Sequence, residues 1–166
     1  TWVVPHLIEL DVCRDVVHDL LNDHTYWQLY RHAATGHVLA IFGGPNCRIR
    51  SVSRYLHPQQ NAPPLCTRNG REAWGRDWAW DSPVEGPKLW NDAVPTTRFM
   101  VLAAVAQKEA KAMTLVEQPG DPAKQHKRLT TVAPSLMALS PCIAWAKQLD
   151  LALSEFDGCM ADGLVN

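Results

Sequence analysis

Leu39-Ala40-Ile41-Phe42-Gly43-Gly44-Pro45-Asn46-Cys47-Arg48 is the stretch on which the fold of this chain turns. An apolar run rich in strand formers stops at Gly-Gly-Pro, and a cysteine and an arginine follow at once. Brief, without a polar face and ended by turn residues, the run reads as a buried strand. Two glycines and a proline let the backbone turn sharply and leave room for another molecule to approach. The turn displays Cys47 beyond the carboxyl end of a central strand, where open α/β sheets place their ligand sites.

Outward from that strand the pattern alternates between strand and helix. Upstream, residues 6–12 (HLIELDV) read as a strand carrying Glu9 and Asp11 at its carboxyl end, with His18-Asp19-Leu20-Leu21 after a turn. Asp23 is placed to cap a helix over 24–35, whose Tyr26, Leu29, Tyr30 and Ala33 share one face, and Gly36 closes it. Strand, helix and strand with short joints make a βαβ unit with parallel pairing. Downstream, 51–95 reads as a long, proline-rich irregular insertion, and loops of that length inside a domain are commonly functional. Thr96 or Thr97 is placed to cap a helix to about residue 112, apolar nearly all round and so expected to be buried. A short strand over 113–117 (MTLVE) ends at Gln118-Pro119-Gly120. Ser140-Pro141 opens a helix to about 149, and a last strand is expected over 151–156. The expected fold is one three-layer α/β domain over 1–166, its sheet mainly parallel.

Bulk composition narrows the function classes. With 166 residues, 46% hydrophobic and 20% charged, the chain can bury an ordinary globular core. A net charge of −1 gives no general attraction to nucleic acid or anionic membrane, so such contact needs a local patch. One exists: Arg48, Arg50, Arg54, Arg68, Arg71 and Arg76 face only Glu72 and Asp77 across that stretch. Tryptophans 74, 78 and 80 lie within it as a packed loop or a stacking surface. The five cysteines are scattered, with neither a disulfide framework nor a CxxC pair, which favours a reducing, intracellular compartment, with a nuclear location as a further expectation. No apolar run is long enough for a membrane span, and the seven histidines show no metal-ligand spacing, so no membrane and no metal are expected. The chain opens on Thr1 without a methionine, as a fragment does, and oligomeric state is left open.

Two reactive groups stand at equivalent places. Cys47 follows one strand and Glu117 ends another, and in a parallel sheet those ends share one edge. A cysteine attacks as thiolate, and arginines 48, 50 and 54 nearby would favour that form. A carboxyl group opposite is suited to bind a polar ring edge and manage its protons.

These residues resemble a family. Gly43-Gly44-Pro45-Asn46-Cys47-Arg48, with Ser51-Val52-Ser53 after it, is similar to the Pro-Cys motif of the cytosine-5 DNA methyltransferases. Glu117-Gln118-Pro119 resembles that family's Glu-Asn motif, Glu9-Leu10-Asp11 the acid that holds the ribose of S-adenosylmethionine, and Asp19 the acid that contacts its adenine. A closer likeness, from about residue 7 to 158, is to a methyltransferase-like segment of retrotransposon-linked reading frames, carried by GGPNCR and VEQPGDPA together. The resemblance implies a Rossmann-like methyltransferase sheet, Cys47 as nucleophile toward carbon 6 of a flipped-out cytosine, and Glu117 as the base-binding acid. It further implies S-adenosylmethionine as cofactor, with Glu9, Asp11, Asp19, Gly43 and Pro45 around it. Nucleic acid would be the partner, met by Arg48, Arg50, Arg54, Arg68 and Arg71. Two features depart from the pattern: Asn46 replaces the usual second proline, and no glycine-rich loop precedes Glu9, so the family's first strand and loop are missing from these residues. The alternative is a non-catalytic nucleic-acid-binding or assembly module of a mobile-element polyprotein. A third is a protein-binding scaffold using the tryptophan loop.

Overall fold

The computed structural model describes residues 6–9, 15–44, 48–50, 55, 63–118 and 135–152. Among them the chain is α/β, with one parallel pair of strands. Strand β1 (Ala40–Gly43) lies beside β2 (Met113–Val116), with Ala40 opposite Met113 and Gly43 opposite Val116. The ladder continues at both ends, because the Met113 amide donates to the Leu39 carbonyl and the Glu117 amide to the Gly43 carbonyl, each at 2.9 Å.

Helix α1 (Asp23–Ala34) precedes β1 and is capped by Asn22, whose side chain accepts from the amides of His24 and Thr25. The expected cap, Asp23, is instead the first helical residue. Gly36, at φ +73°, turns the chain out of the helix in a conformation that favours glycine. Between the strands run a 3-10 turn (Arg71–Trp74), the short helix α2 (Asp77–Asp81) and the long helix α3 (Gly86–Ala110). The parallel crossover therefore goes from β1 through α3 to β2, rather than through α1. Helix α4 (Ser140–Gln148) follows, with proline in its first turn as expected.

Helix α3 organises the core. Leu89, Asp92, Thr96, Phe99, Leu102, Ala103 and Ala106 form its buried stripe, while Trp90 and Val101 are exposed. It is amphipathic, not apolar all round. Its start is the main correction to the sequence reading: residues 86–95, expected to be irregular, are helical, and the helix runs through Pro95. Pro87 sits in the first turn, where a missing N–H costs nothing. Pro95 removes one internal hydrogen bond, yet the stripe from Leu89 to Phe99 stays buried and carries the helix past it. At the other end Lys111 adopts φ +55°, and the Lys111 and Ala112 amides return to the Gln107 and Ala106 carbonyls. This left-handed (αL) closure delivers the chain directly into β2.

Ile41 and Val116, on the inner face of the sheet, pack with Phe99, Ala103, Trp145 and Leu149 of α3 and α4. Ala33, Ala106 and Ala112 let α1 approach α3 closely beside Ile41. The outer face is bare: Phe42, Met113 and Leu115 are 56%, 59% and 60% exposed. The expectation of a strand buried on both faces is thus corrected, since helices cover one face only among the described residues.

Two expected strands are not found where they are described. Residues 6–9 have no strand pairing and expose Leu7 and Ile8, and 10–12 lie outside the described residues. Among the described residues nothing covers those two side chains, and burial rather than alternation sustains a short strand. At 151–152 the chain is not a strand: the Leu151 amide donates back to the Ala146 carbonyl at 2.9 Å, closing α4. Residues 153–156 lie outside the described residues. No described helix is long and apolar enough to cross a membrane.

Candidate functional site

Parallel pairing brings the carboxyl ends of β1 and β2 to one rim. With Gly43 opposite Val116, the next residues are Gly44 and Glu117, and a Cβ built on Gly44 would lie 3.0 Å from the Glu117 Oε2. Gly44 thus makes room for the Glu117 carboxylate, which is exposed and follows the outer-face residues Met113 and Leu115 in register. Of the expected site residues, the described structure brings Gly43 and Glu117 to this rim, with Gly44 beside them. Pro45, Cys47, Asp11 and Arg54 lie outside the described residues.

Gly43 serves differently from its neighbour. A Cβ there would run into the ring of Phe99, so the space that a glycine frees is filled by α3. On that side Gly43 admits a helix. Asp19 also has a local duty. Its Oδ1 accepts the Leu21 amide at 2.8 Å, and its carbonyl accepts the Asn22 amide, making the turn that leads into α1. Arg98 of α3 secures that turn, donating to the Leu20 carbonyl at 2.6 Å, pairing with Asp23 and lying 4.6 Å from the Tyr26 ring centre. Glu9 is exposed.

The arginine patch separates into different roles. Arg50, expected at nucleic acid, is buried instead, its guanidinium paired with Asp92 of α3 at side-chain exposures of 3% and 0%. Its charge is drawn inward because Asp92 stands on the buried stripe of α3, and a buried cation needs such a partner. The Trp74 ring lies 5.2 Å from the guanidinium carbon. Beside Arg50, Ile49 packs with Leu65, Cys66, Ala79 and Leu89. Burial pushes the Asp92 carboxyl above its ordinary range, and Arg50 works against that shift. Arg71 is at the surface and pairs with Asp77 there; such exposed pairs add little stability. Arg68 is half-buried, and Arg48 opens a 3-10 segment (Arg48–Arg50).

Sequence reasoning missed Asp92 and Arg98. A signal existed for Asp92: an acid three residues after Leu89 and seven before Phe99 falls on the apolar stripe of a helix. That signal is visible only once the helix is allowed through Pro95. Among the described residues, Cys66 and Cys142 are buried. Burial pushes the Cys142 thiol up to about 11, which keeps it a neutral packing group. Tyr55 donates to the Cys66 carbonyl at 2.9 Å, and burial raises its phenol. No cluster of three metal-ligating side chains occurs among the described residues.

No family model, no curated protein and no solved structure matches the chain.

Proposed function

We propose that this chain is a methyltransferase-like domain derived from S-adenosylmethionine-dependent cytosine-5 methylation of nucleic acid, on a three-layer Rossmann-like sheet. Cys47 is the nucleophile in this reading and Glu117 the acid that binds the base. The observation that carries it is the parallel β1–β2 pair, whose shared rim sets Gly44 beside the Glu117 carboxylate. In the reaction the Cys47 thiolate forms a bond to carbon 6 of a cytosine, and the ring π pair moves to carbon 5. Glu117 holds the ring nitrogen and amino group at the edge away from that carbon.

The described residues fit S-adenosylmethionine poorly. The Phe99 ring occupies the space at Gly43, and the Asp19 carboxylate is engaged with its own turn. The addition of Cys47 to the base needs only this chain's own residues and the base. The test is a chain extended upstream, incubated with S-adenosylmethionine and DNA carrying 5-fluorocytosine. A covalent adduct on Cys47, lost in Cys47→Ser, is the expected result; a folded extended chain with neither adduct nor cofactor binding contradicts it.

That poor fit favours one second reading, a non-catalytic nucleic-acid-binding or assembly module of a mobile-element polyprotein. It predicts nucleic-acid binding that weakens steeply with salt and is unchanged by Cys47→Ser. Salt-independent binding, or none, counts against it.

A further inference from the structure

Helix α1 lays one face on α3 and turns the other outward. Thr25, Tyr26 and Ala33 are buried, whereas His24, Trp27, Gln28, Arg31 and His32 are exposed. Trp27 is 56% exposed, yet two rings hold it. Tyr26 lies 5.0 Å away, centre to centre, and Tyr30 meets it edge-on at 5.4 Å and 74°. Tyr26 is itself buried against the Arg98 guanidinium. A single exposed tryptophan carries nothing alone; its surroundings do.

One turn on, about 6 Å along the axis, Arg31 has no carboxylate partner among the described residues. The one acid of α1, Asp23, is paired with Arg98. Glu109 of α3, whose carbonyl lies by Gly36, is paired with Lys108. One turn before Trp27, His24 is hydrogen-bonded to Gln28 at 2.9 Å. The face therefore offers a braced indole, a guanidinium and polar side chains. One indole among polar neighbours is too little apolar area for a protein or lipid partner. It suits a nucleotide: any base can stack on the ring, and the guanidinium matches phosphate oxygens. In a duplex the base faces already cover one another, so the ring selects single strands.

We propose that the outward face of α1 binds single-stranded nucleic acid, with Trp27 stacking on a base and Arg31 meeting an adjoining phosphate. The proposal rests on nucleic acid being the partner, as in both readings above. It moves the contact away from Arg50, which is buried, to a helix.

The test is fluorescence anisotropy of a labelled 15-nucleotide oligothymidine, titrated with the chain at several salt concentrations. Trp27→Ala is expected to weaken binding about tenfold with the thermal midpoint little changed. Trp27→Phe, which keeps an aromatic face, should give an intermediate loss and serves if the alanine variant fails to fold. Arg31→Gln should lower the slope of log affinity against log salt by about 0.7, the share of one phosphate on a single strand. Lys88→Gln, the same charge change elsewhere on the surface, should leave binding unchanged. Unaltered affinity in folded Trp27 variants overturns the proposal, as does duplex DNA bound as tightly as the single strand. Self-association lost in Trp27→Ala, with no oligonucleotide bound, overturns it in favour of a second copy on this face. If the unaltered chain binds neither single strand nor duplex, nucleic acid as the partner fails with it; that outcome involves no variant and is separate.

Discussion

A methyl group at Gly43 has nowhere to go but into the ring of Phe99. Gly43→Ala is therefore expected to destabilise the fold by about 1–3 kcal/mol, the usual cost of overpacking. Pairing it with Phe99→Leu should recover part of that loss in urea unfolding; an unchanged midpoint for Gly43→Ala would show that the contact is loose. Cys142 gives a pH signature. Its thiol is raised from 9.0 to about 11, so the stability it contributes is fully present below pH 9 and is lost as pH rises through about 11. The difference in unfolding free energy between the native chain and Cys142→Ala should shrink across that window, by at most about 1.4 kcal/mol for each step of one in pH. A difference that is flat with pH would contradict this. The roles of Gly43 and Arg50 were only half legible in the sequence. Gly-Gly announces close approach without saying of what, and an arginine reads as surface unless its partner is known. That partner lies 42 residues away, where no local pattern points to it.

At the scale of the element, α3 shows why some boundaries could be read and others could not. Its second half follows apolar periodicity, and the strand after it is recognisable because MTLV is short, β-rich and followed by Glu-Gln-Pro. Its first half is hidden by Pro87 and Pro95, which read as breakers. One proline occupies a position where it is harmless, and the other is overridden by the buried Leu89 and Phe99 on either side. The closing turn of α3 carries its own prediction. Lys111 holds a left-handed backbone conformation that costs a residue with a Cβ roughly 1 kcal/mol. Lys111→Gly should raise the thermal midpoint, and a lowered midpoint would mean that the side chain contributes more than the strain removes.

At the scale of the whole molecule, both strands and the shared edge of their carboxyl ends were legible, whereas the direct pairing of β1 with β2 was not, because the expected partner of β1 was the segment 6–12. The layering was not legible either. Helices pack on the inner face among the described residues, whereas Phe42, Met113 and Leu115 leave the outer face apolar and bare. Parallel sheets are ordinarily covered on both sides, and a three-layer arrangement is the proposed completion. That face ends at the rim where Gly44 meets Glu117, on which the functional account depends. The most direct measurement is bridging of Cys47 to Glu117→Cys in the folded chain by the short bifunctional thiol reagent dibromobimane. The account predicts one fluorescent cross-linked peptide joining positions 47 and 117, abolished by Cys47→Ser and by prior unfolding. A folded chain in which both thiols are labelled singly and never bridged would contradict it.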